Sequence, residues 1–505
     1  MSAWRRSGAI LATLGLLLGA GSVPAAETAE APRLVDEACD FEIVDAAVAA
    51  RLRCARLVVH RDPERPEEGR FEIAVVVKKS ASPKPGATPI LFLHGGPGGG
   101  VTMWQGRNPR DFVAGHDLVS FDMRGGGRSR PRVCEASTAA LIANVLHPDG
   151  PAAGLRERRK VVEACRAEWQ AAGFSDRHFG TARNVADAEA LRSLLGVQRW
   201  RIYAESYGTT VAAHYLATHP EAIEAAVLDS LYPKDAQVHP GAEMQGRLME
   251  RVAADCRRDA ACSARFPDVG RGQLDATVAA LDAAPLKVGE GEHARVLDGA
   301  GLRMLIMTAA SDEGGVRSLP LLIDAAARRD VALLAGPLSL IGAQGSAVGG
   351  ANLAGTLATD CRDRARHRQI ADLSDPMGLL LGVPNAVCKD WGELGETPRW
   401  PVATAVPVLV VSGGYDSFQP DPAPVLVEMG PSARGVEFPR AAHGARGSGA
   451  CARDVIADFL TDPSAAPDTG CIADIVVPRS GFWHCCCCRR GRVRRPRCLR
   501  RWRSN

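Results

Sequence analysis

A serine lies between a strand-like run and a helix-like run in the segment Arg201-Ile202-Tyr203-Ala204-Glu205-Ser206-Tyr207-Gly208-Thr209-Thr210. Small residues flank Ser206 at the two positions where a sharp strand-to-helix turn brings the backbones close together, Ala204 and Gly208. Such a turn is a nucleophile elbow, which exposes the serine hydroxyl above a sheet. Alanine in place of the usual glycine at position 204 is the smallest departure, so we predict that the elbow tolerates it. Ser206 is therefore the candidate nucleophile.

A glycine-rich loop, His94-Gly95-Gly96-Pro97-Gly98-Gly99-Gly100, follows the apolar run 89–93. In an oxyanion hole, a backbone N–H from such a loop joins the N–H of the residue after the nucleophile. We therefore expect the N–H groups of Gly96 and Tyr207 to form that hole. A phosphate loop would end in Gly-Lys-Ser/Thr, and Pro97 interrupts a dinucleotide fingerprint. A simple flexible turn is the other interpretation.

Two charged residues follow the apolar run 117–121. Asp122 and Arg124 belong to the segment Asp122-Met123-Arg124-Gly125-Gly126-Gly127-Arg128-Ser129. Their position is compatible with a catalytic role. The simpler interpretation, which we adopt, is a charged pair that fixes this loop beside the glycine-rich loop.

A serine nucleophile needs a base that takes its proton and a carboxylate that orients the base. In one known chain order, the acid and then the histidine come after the serine. Asp416 follows the apolar run 406–411 at a strand end, where such an acid belongs. Of the 12 histidines, only His443 and His484 lie beyond it, and His484 falls in an unusual tail. We predict that Ser206, Asp416 and His443 form a catalytic triad that needs no metal or other cofactor.

The rhythm of strands and helices predicts an α/β fold with a mostly parallel central sheet. Two Val- and Ile-rich runs, 53–60 and 70–78, read as an opening antiparallel hairpin. Continuous apolar runs read as buried parallel strands at 89–93, 117–121, 200–203, 225–229 and 406–411. Between 232 and 400, stretches rich in Ala, Leu and Arg replace this rhythm. We expect an all-helical cap over the active site, inserted between the two parts of the core, 27–231 and 401–475.

The first 26 residues read as a removable signal peptide. Arg5 and Arg6 precede the apolar stretch 9–20, which is short for a membrane span, and Val23-Pro24-Ala25-Ala26 offers a small-residue cleavage site. No other segment reaches transmembrane length. We therefore expect a secreted or periplasmic protein without stable membrane insertion.

Fifteen cysteines divide into ten in the body of the chain and five in the tail. An even number in an exported chain indicates disulfides, and reduced, buried cysteines are the alternative. Pairing sequence neighbours would close five modest loops among Cys39, Cys54, Cys134, Cys165, Cys256, Cys262, Cys361, Cys388, Cys451 and Cys471.

The tail, 476–505, is basic and rich in cysteine. From Arg479 onward it holds ten arginines and no acidic residue, whereas the whole chain has a net charge of +3, so the rest of the chain is net acidic. A nucleic-acid, membrane or metal site is one interpretation. Because the tail has neither hydrophobic periodicity nor metal-ligand spacing, we expect disordered sequence and no nucleic-acid partner. Translation out of frame past the true end is one explanation for such a tail.

The motifs together resemble the exported tripeptidyl aminopeptidases, relatives of the prolyl aminopeptidases among the α/β-hydrolase peptidases. The resemblance extends over residues 39–475 and rests on His94-Gly95-Gly96-Pro97-Gly98, Asp122-Met123-Arg124-Gly125 with Ser129, Glu205-Ser206-Tyr207-Gly208-Thr209, Asp416 and His443. It implies the α/β-hydrolase fold, the same triad and an acyl-enzyme. It also implies release of N-terminal residues or tripeptides from peptides with a free N-terminus. Ala204 and the Arg/Cys-rich tail depart from the family pattern without touching the triad.

Acidic groups near the cap hold the substrate's ammonium group in that family. Glu205 is the candidate beside the nucleophile, although side chains at this position often point into the fold. Glu243, Glu250 and Glu313 in the cap are further candidates, and each also reads as a solvated surface charge.

Two other functions compete with an aminopeptidase. A carboxylesterase with the same triad would not require an ammonium group on its substrate. A non-catalytic binding protein on a hydrolase scaffold is disfavoured, because no triad member is missing from the sequence.

Overall fold

The computed structural model describes the chain over residues 31–232, 241–347, 352–364, 397–401 and 403–476. The predicted signal peptide, 1–26, and the tail beyond residue 476 lie outside the described residues, so the expectations for both stay predictions. Within the described ranges, no helix combines the length and the apolar character needed to cross a membrane.

One large sheet organises the described residues. Its nine strands lie in the order β1-β2-β3-β5-β4-β6-β7-β10-β11, and β8 and β9 form a separate pair. The strands are β1 (Arg33–Glu37), β2 (Leu52–His60), β3 (Arg70–Lys78), β4 (Ile90–Leu93), β5 (Leu118–Phe121), β6 (Trp200–Glu205), β7 (Ile223–Asp229), β8 (Leu286–Val288), β9 (Arg295–Leu297), β10 (Val408–Gly413) and β11 (Ala433–Phe438).

The sheet is antiparallel at one side and parallel over the rest. Neighbouring strands from β1 to β5 run antiparallel. From β5 through β11 all neighbours are parallel. The predicted α/β class and mostly parallel sheet are therefore confirmed. The predicted hairpin is β2–β3, and β1 is an additional edge strand that the sequence did not reveal.

Both faces of the parallel strands are covered, which explains their unbroken apolar runs. Leu91, Ile202 and Val410 belong to the hydrophobic core on one face, and Tyr203 and Val411 to the core on the other. All five side chains are at most 1% exposed. The sheet is thus a rigid platform whose parallel strands end along one common edge.

Helices flank the sheet and build the insertion. Around the sheet they are α1 (Ala46–Ala49), α2 (Ser137–Ala143), α3 (Pro151–Ala171), α4 (Thr181–Leu194), α5 (Tyr207–Thr218), α14 (Ala423–Met429), α15 (Ala450–Thr461) and α16 (Ile472–Val476). Between β7 and β10 they are α6 (Gly241–Arg258), α7 (Ala260–Arg265), α8 (Arg271–Ala283), α9 (Gly299–Ala309), α10 (Glu313–Val316), α11 (Leu319–Ala327), α12 (Val331–Ala347) and α13 (Leu353–Arg364).

The insertion has a hydrophobic core of its own, made mainly by α6 to α12. Ile142, Val145 and Leu146, which precede the insertion in sequence, join that core. In contrast, α13 packs on the core of the sheet through Leu357 and Ala358. Segments on both sides of residue 232 therefore contribute to the core of the sheet and to the core of the insertion. The cap boundary at residue 232 stays a prediction.

The expectation of an all-helical insertion is wrong, because β8 and β9 form a short antiparallel pair within it. The sequence Leu286-Lys287-Val288 alternates apolar and polar residues, and its side chains alternate between buried and exposed. Three residues are too few to stand out as a strand among the helical stretches around them.

Disulfides join four of the predicted neighbour pairs. They are Cys39–Cys54, Cys134–Cys165, Cys256–Cys262 and Cys451–Cys471. Cys361 is also disulfide-bonded, and Cys388 lies outside the described residues. The alternative of reduced cysteines is therefore wrong for these nine.

The prediction that Asp122 and Arg124 pair with each other is wrong. The Arg124 guanidinium binds both carboxylate oxygens of Asp187, at 2.7 and 2.8 Å. It also donates to the carbonyl oxygens of Arg61, His178 and His60, at 2.6, 3.0 and 3.1 Å. Both charged side chains are at most 4% exposed, so this is a fully satisfied buried ion pair that ties β2 to α4.

We expect Arg124→Met to lower the free energy of unfolding by about 3–5 kcal/mol, because it leaves the Asp187 carboxylate buried without its counter-ion. Urea denaturation with the disulfides intact measures the change. Lys160→Met is the matched control, since Lys160 pairs with Glu157 at the surface with 68% of its side chain exposed. That variant should lose at most about 0.5 kcal/mol. Equal losses in the two variants would contradict the assigned role of Arg124.

Candidate active site

Ser206 occupies a sharp turn between β6 and α5. Its backbone lies at φ +56° and ψ −128°, a combination that non-glycine residues rarely adopt and that costs about 1–3 kcal/mol. The turn is held from both sides by rigid elements, and the Ser206 N–H donates to the Asp229 carbonyl oxygen at 3.1 Å. The observed strand–serine–helix arrangement is the geometry expected of a nucleophile elbow.

Close backbone contacts explain the small residues around Ser206. A Cβ atom added at Gly208 would lie 2.0 Å from the Leu93 carbonyl oxygen, so α5 and β4 can approach only if residue 208 is glycine. Ala204, in contrast, is fully buried in the core of the sheet. The fold thus accommodates the methyl group that replaces the usual elbow glycine.

The glycine-rich loop passes directly against Ser206. A Cβ atom added at Gly95 would lie 2.6 Å from the Ser206 Cβ and 3.0 Å from its hydroxyl oxygen. Gly96 follows in this loop, and Tyr207 begins α5. The two expected oxyanion donors therefore belong to the two segments that meet at Ser206.

Asp122 holds the end of the glycine-rich loop. Its buried carboxylate accepts the N–H groups of Val101 and Thr102 at 2.7 and 3.0 Å, and the Thr102 hydroxyl at 2.8 Å. A fourth hydrogen bond comes from the Arg128 N–H at 2.8 Å. Asp122 thus has the structural role predicted for it, through backbone N–H groups instead of Arg124.

The insertion fixes the other half of the same loop. At the start of α13, the Asn352 N–H donates to the Gly98 carbonyl oxygen at 2.9 Å. The Thr356 hydroxyl donates to the Pro97 carbonyl oxygen at 2.6 Å. The loop is therefore anchored by the core at one end and by α13 in its middle.

The structure brings Asp416 and His443 together at the carboxyl ends of β10 and β11. The His443 Nδ1 atom lies 3.0 Å from each carboxylate oxygen of Asp416. The Asp416 side chain is fully buried and also accepts the Phe418 N–H at 2.8 Å, whereas the imidazole is 24% exposed. A buried carboxylate that binds Nδ1 leaves Nε2 as the proton acceptor of a neutral imidazole.

The charges around His443 favour its protonated form. Burial by itself lowers the pKa of His443, but the charge and hydrogen bond of Asp416, together with the charges of Glu205 and Asp229, raise the pKa to about 9. Burial acts in the opposite sense on the pKa of Asp416, but the neighbouring imidazole lowers that pKa below its ordinary value.

Sequence reasoning missed two residues at the end of β7 that bind the loop after His443. Asp229 is fully buried and accepts the N–H groups of Ala445 and Arg446, while the Ser230 hydroxyl accepts the Gly444 N–H at 2.9 Å. The available signal was the position of Asp229 directly after a buried strand, at the edge where the candidate triad residues were expected.

The candidate ammonium-binding acids lie in different surroundings. Glu205 lies against the histidine loop, since a Cβ added at Gly444 would be 3.1 Å from its carboxyl carbon. In the insertion, Glu243 binds Arg271 at 2.7 Å and Glu313 binds Arg317 at 2.9 Å. Glu243 and Glu250 are more than half exposed.

A cleft of about 670 Å³ separates α6 from the loops after β10 and β11. Glu250, Arg247 and Arg251 line it from the insertion, and Asp416 lies at its wall, but neither Ser206 nor His443 does. Over the described ranges, no three His, Cys, Asp or Glu side chains group as ligands of a metal ion would.

Comparison with known proteins finds similarity to proteins of the alpha/beta hydrolase fold. Residues 88–265 match the model of the alpha/beta hydrolase fold. The chain is 29% identical over 153 residues to a proline iminopeptidase of Neisseria meningitidis serogroup A, and 27% identical over 224 residues to the serine protease Hip1 of Mycobacterium tuberculosis. These alignments cover 30% and 41% of this chain. The chain spans 35% of the length of the first relative and 42% of the second.

Among solved structures, the chain is similar to a proline iminopeptidase of Mycobacterium smegmatis, with 16% sequence identity and a TM-score of 0.35. The alignment covers 77% of this chain and 95% of that one. The curated relatives confirm the resemblance to peptidases of the prolyl aminopeptidase type. Together with the observed sheet, the family match establishes the α/β-hydrolase fold.

We expect Gly95→Ala to slow the reaction of Ser206 with diisopropyl fluorophosphate by about 100-fold or more, because the added methyl group overlaps the serine side chain. Gly272→Ala is the matched control, since no atom lies within 4 Å of a Cβ added there. The rate of covalent labelling and the thermal midpoint are measured for both. A labelling rate unchanged by Gly95→Ala would contradict the observed contact.

Labelling of Ser206 should increase with pH. His443 accepts the serine proton only when neutral, so the rate should rise about tenfold per pH unit and level off above its pKa of about 9. Asp416→Asn should move the midpoint towards the ordinary imidazole value of about 6.5. It should also lower the limiting rate by roughly 10⁴-fold. A flat profile between pH 6 and pH 10 (roughly the range in which imidazoles titrate) would exclude His443 as the base.

Proposed function

We propose that this chain, which has the α/β-hydrolase fold, is an exported serine peptidase that releases residues or tripeptides from the N-termini of peptides. The observation that carries the proposal is that three features lie at the carboxyl ends of the parallel strands. They are the strained turn at Ser206, the glycine-rich loop against its hydroxyl, and the hydrogen-bonded pair of Asp416 and His443. The relatives named proline iminopeptidase and serine protease favour peptides as substrates.

In the proposed reaction, the neutral His443 takes the proton of the Ser206 hydroxyl as the serine oxygen attacks the carbonyl carbon of the scissile bond. The backbone N–H groups of Gly96 and Tyr207 stabilise the oxyanion that forms. The protonated imidazole, supported by Asp416, gives its proton to the leaving amine as the C–N bond breaks.

Water then completes the reaction. His443 takes a proton from the water molecule, whose oxygen attacks the acyl carbon, and returns it to the Ser206 oxygen as the ester bond breaks. The released fragment carries the original N-terminus and a new carboxylate. All proton transfers in this scheme use side chains of this chain.

The free amino group of the substrate distinguishes an aminopeptidase from other peptidases. An ammonium group close to the nucleophile is stabilised by a nearby carboxylate, and Glu205 is the half-buried acid beside Ser206. We assign Glu205 as a candidate for this contact. The acids Glu243 and Glu313 are less suited to it, because arginines already neutralise them.

The disulfides support export. Four disulfides are distributed over the core and the insertion, as is common in proteins of oxidising compartments and rare in reducing ones. The predicted signal peptide at 1–26 supplies the corresponding route. The proposed location is therefore secreted or periplasmic.

Chromogenic amides test the proposal. We expect cleavage of aminoacyl, prolyl or tripeptidyl amides with a free N-terminus, and a loss of at least ~100-fold in kcat/KM when the same N-terminus is acetylated. Ser206→Ala should lower kcat by about 10⁴-fold or more. Ser193→Ala, at an exposed position on α4, is the control with full activity.

Each of the other outcomes would indicate a different function for this protein. Equal cleavage of free and acetylated amides would exclude an aminopeptidase. Cleavage of short-chain esters alone would make the protein a carboxylesterase. Activity that survives Ser206→Ala would exclude the proposed mechanism, and absence of all hydrolysis would favour a binding protein on a hydrolase scaffold.

A further inference from the structure

A cluster of three polar side chains lies next to the histidine loop, which we define as residues 443–446. The Tyr203 hydroxyl is 2.7 Å from a carboxylate oxygen of Asp229 and 3.2 Å from one of Glu205. Tyr203 and Asp229 are at most 1% exposed. Glu205 and Asp229 are register partners on the parallel strands β6 and β7, so their side chains project on the same face.

The cluster holds the backbone of the histidine loop. The two carboxylate oxygens of Asp229 accept the N–H groups of Ala445 and Arg446, at 2.9 and 3.0 Å respectively. With the bond from the Gly444 N–H to the Ser230 hydroxyl, three successive N–H groups after His443 are bound by the end of β7. The position of the imidazole thus depends on Asp229 as well as on Asp416.

One hydroxyl group faces two carboxyl groups in this cluster. The Tyr203 hydroxyl donates a single hydrogen bond, so it satisfies either Asp229 or Glu205. The second contact is favourable when one carboxyl group is protonated and donates to the phenol oxygen. Consistently, burial and then the charge of Glu205 raise the pKa of Asp229 to about 6.

The surrounding charges determine what the cluster does. Two groups of the histidine loop that can carry positive charge interact with the cluster. The Arg446 guanidinium carbon lies 5.9 Å from the centroid of the Tyr203 ring, and the charges of Glu205 and Asp229 raise the pKa of His443. Arg446 is occupied by Phe112, with its guanidinium carbon 3.6 Å from the ring centroid and a hydrogen bond to the Phe112 carbonyl oxygen at 3.0 Å. Asp416 binds His443 from the β10 loop. The negative charges of Glu205 and Asp416 both stabilise the protonated imidazole of His443.

We propose that Glu205 and Asp229 form a carboxyl pair joined through Tyr203, in which Asp229 positions the histidine loop and Glu205 supplies negative charge that stabilises protonated His443. Both act through His443 and are positioning residues. The inference rests on the proposed role of Ser206 and His443 and adds two groups to it. It explains why an acid stands directly before the nucleophile at a site that already has its triad carboxylate.

The pH dependence of Ser206 labelling by diisopropyl fluorophosphate tests the pair without any peptide substrate. Removing the charge in Glu205→Gln should shift the midpoint to lower pH by about 0.5–1 unit, as expected for a partly solvated charge within several ångströms. The rates of the variant and the wild type should differ less at about pH 10 than at about pH 7, because His443 is largely neutral in both proteins at the higher pH.

Glu224→Gln is the matched control. Glu224 is a partly buried acid on the same strand as Asp229, paired with Arg201 at 2.7 Å at the opposite end of β7. This variant should keep the wild-type midpoint. Asp229→Asn should lower the limiting labelling rate at high pH by about tenfold or more, because an amide oxygen and an NH₂ group cannot accept both loop N–H groups.

The outcomes separate this inference from the proposed function. A Glu205→Gln profile that superimposes on that of the wild type overturns the inference. So does a selective rise in KM for free-amine peptides with an unshifted midpoint, which would make Glu205 an ammonium site only. Absence of labelling in the wild-type protein would instead refute the nucleophile, and with it the proposed function.

Discussion

The site depends on the close approach of backbones around one strained residue. Ser206 keeps its unusual φ of +56° only because β6 and α5 hold it from both sides. The glycine-rich loop can touch the serine only where Gly95 lacks a side chain, and α5 can meet β4 only where Gly208 lacks one. A single methyl group at either position would separate the parts whose contact creates the site.

Charged side chains also fix the loops at this edge of the sheet. Burying a carboxylate costs free energy unless it is hydrogen-bonded, and each of the three here accepts hydrogen bonds from a different segment. Asp122 accepts loop N–H groups, Asp416 accepts the imidazole and Asp229 accepts the backbone after His443. Their common effect is to fix loops. The charge of Asp416, with smaller contributions from Glu205 and Asp229, also makes His443 hold its proton more tightly.

Local patterns in the sequence predicted most of the fold and much of the candidate site. Unbroken apolar runs located the parallel strands, and the chain order of Asp416 and His443 led to two side chains that lie 3.0 Å apart. The failures have physical reasons. The β8–β9 pair is too short for a periodic signal, and the partner of Arg124 is Asp187, 63 residues further along the chain, a contact that depends on helix packing. Asp229 was visible only as the last residue of a strand.

The contact of α13 with the glycine-rich loop limits how the insertion can be exchanged. Asn352 and Thr356 belong by chain order to the insertion, yet they bond the carbonyl oxygens of Gly98 and Pro97, and α13 packs on the core of the sheet. The chain therefore cannot be divided cleanly between β7 and β10. Recombination that replaces the insertion has to leave residues 352–364 with the sheet, so the natural unit of exchange is the bundle from α6 to α12.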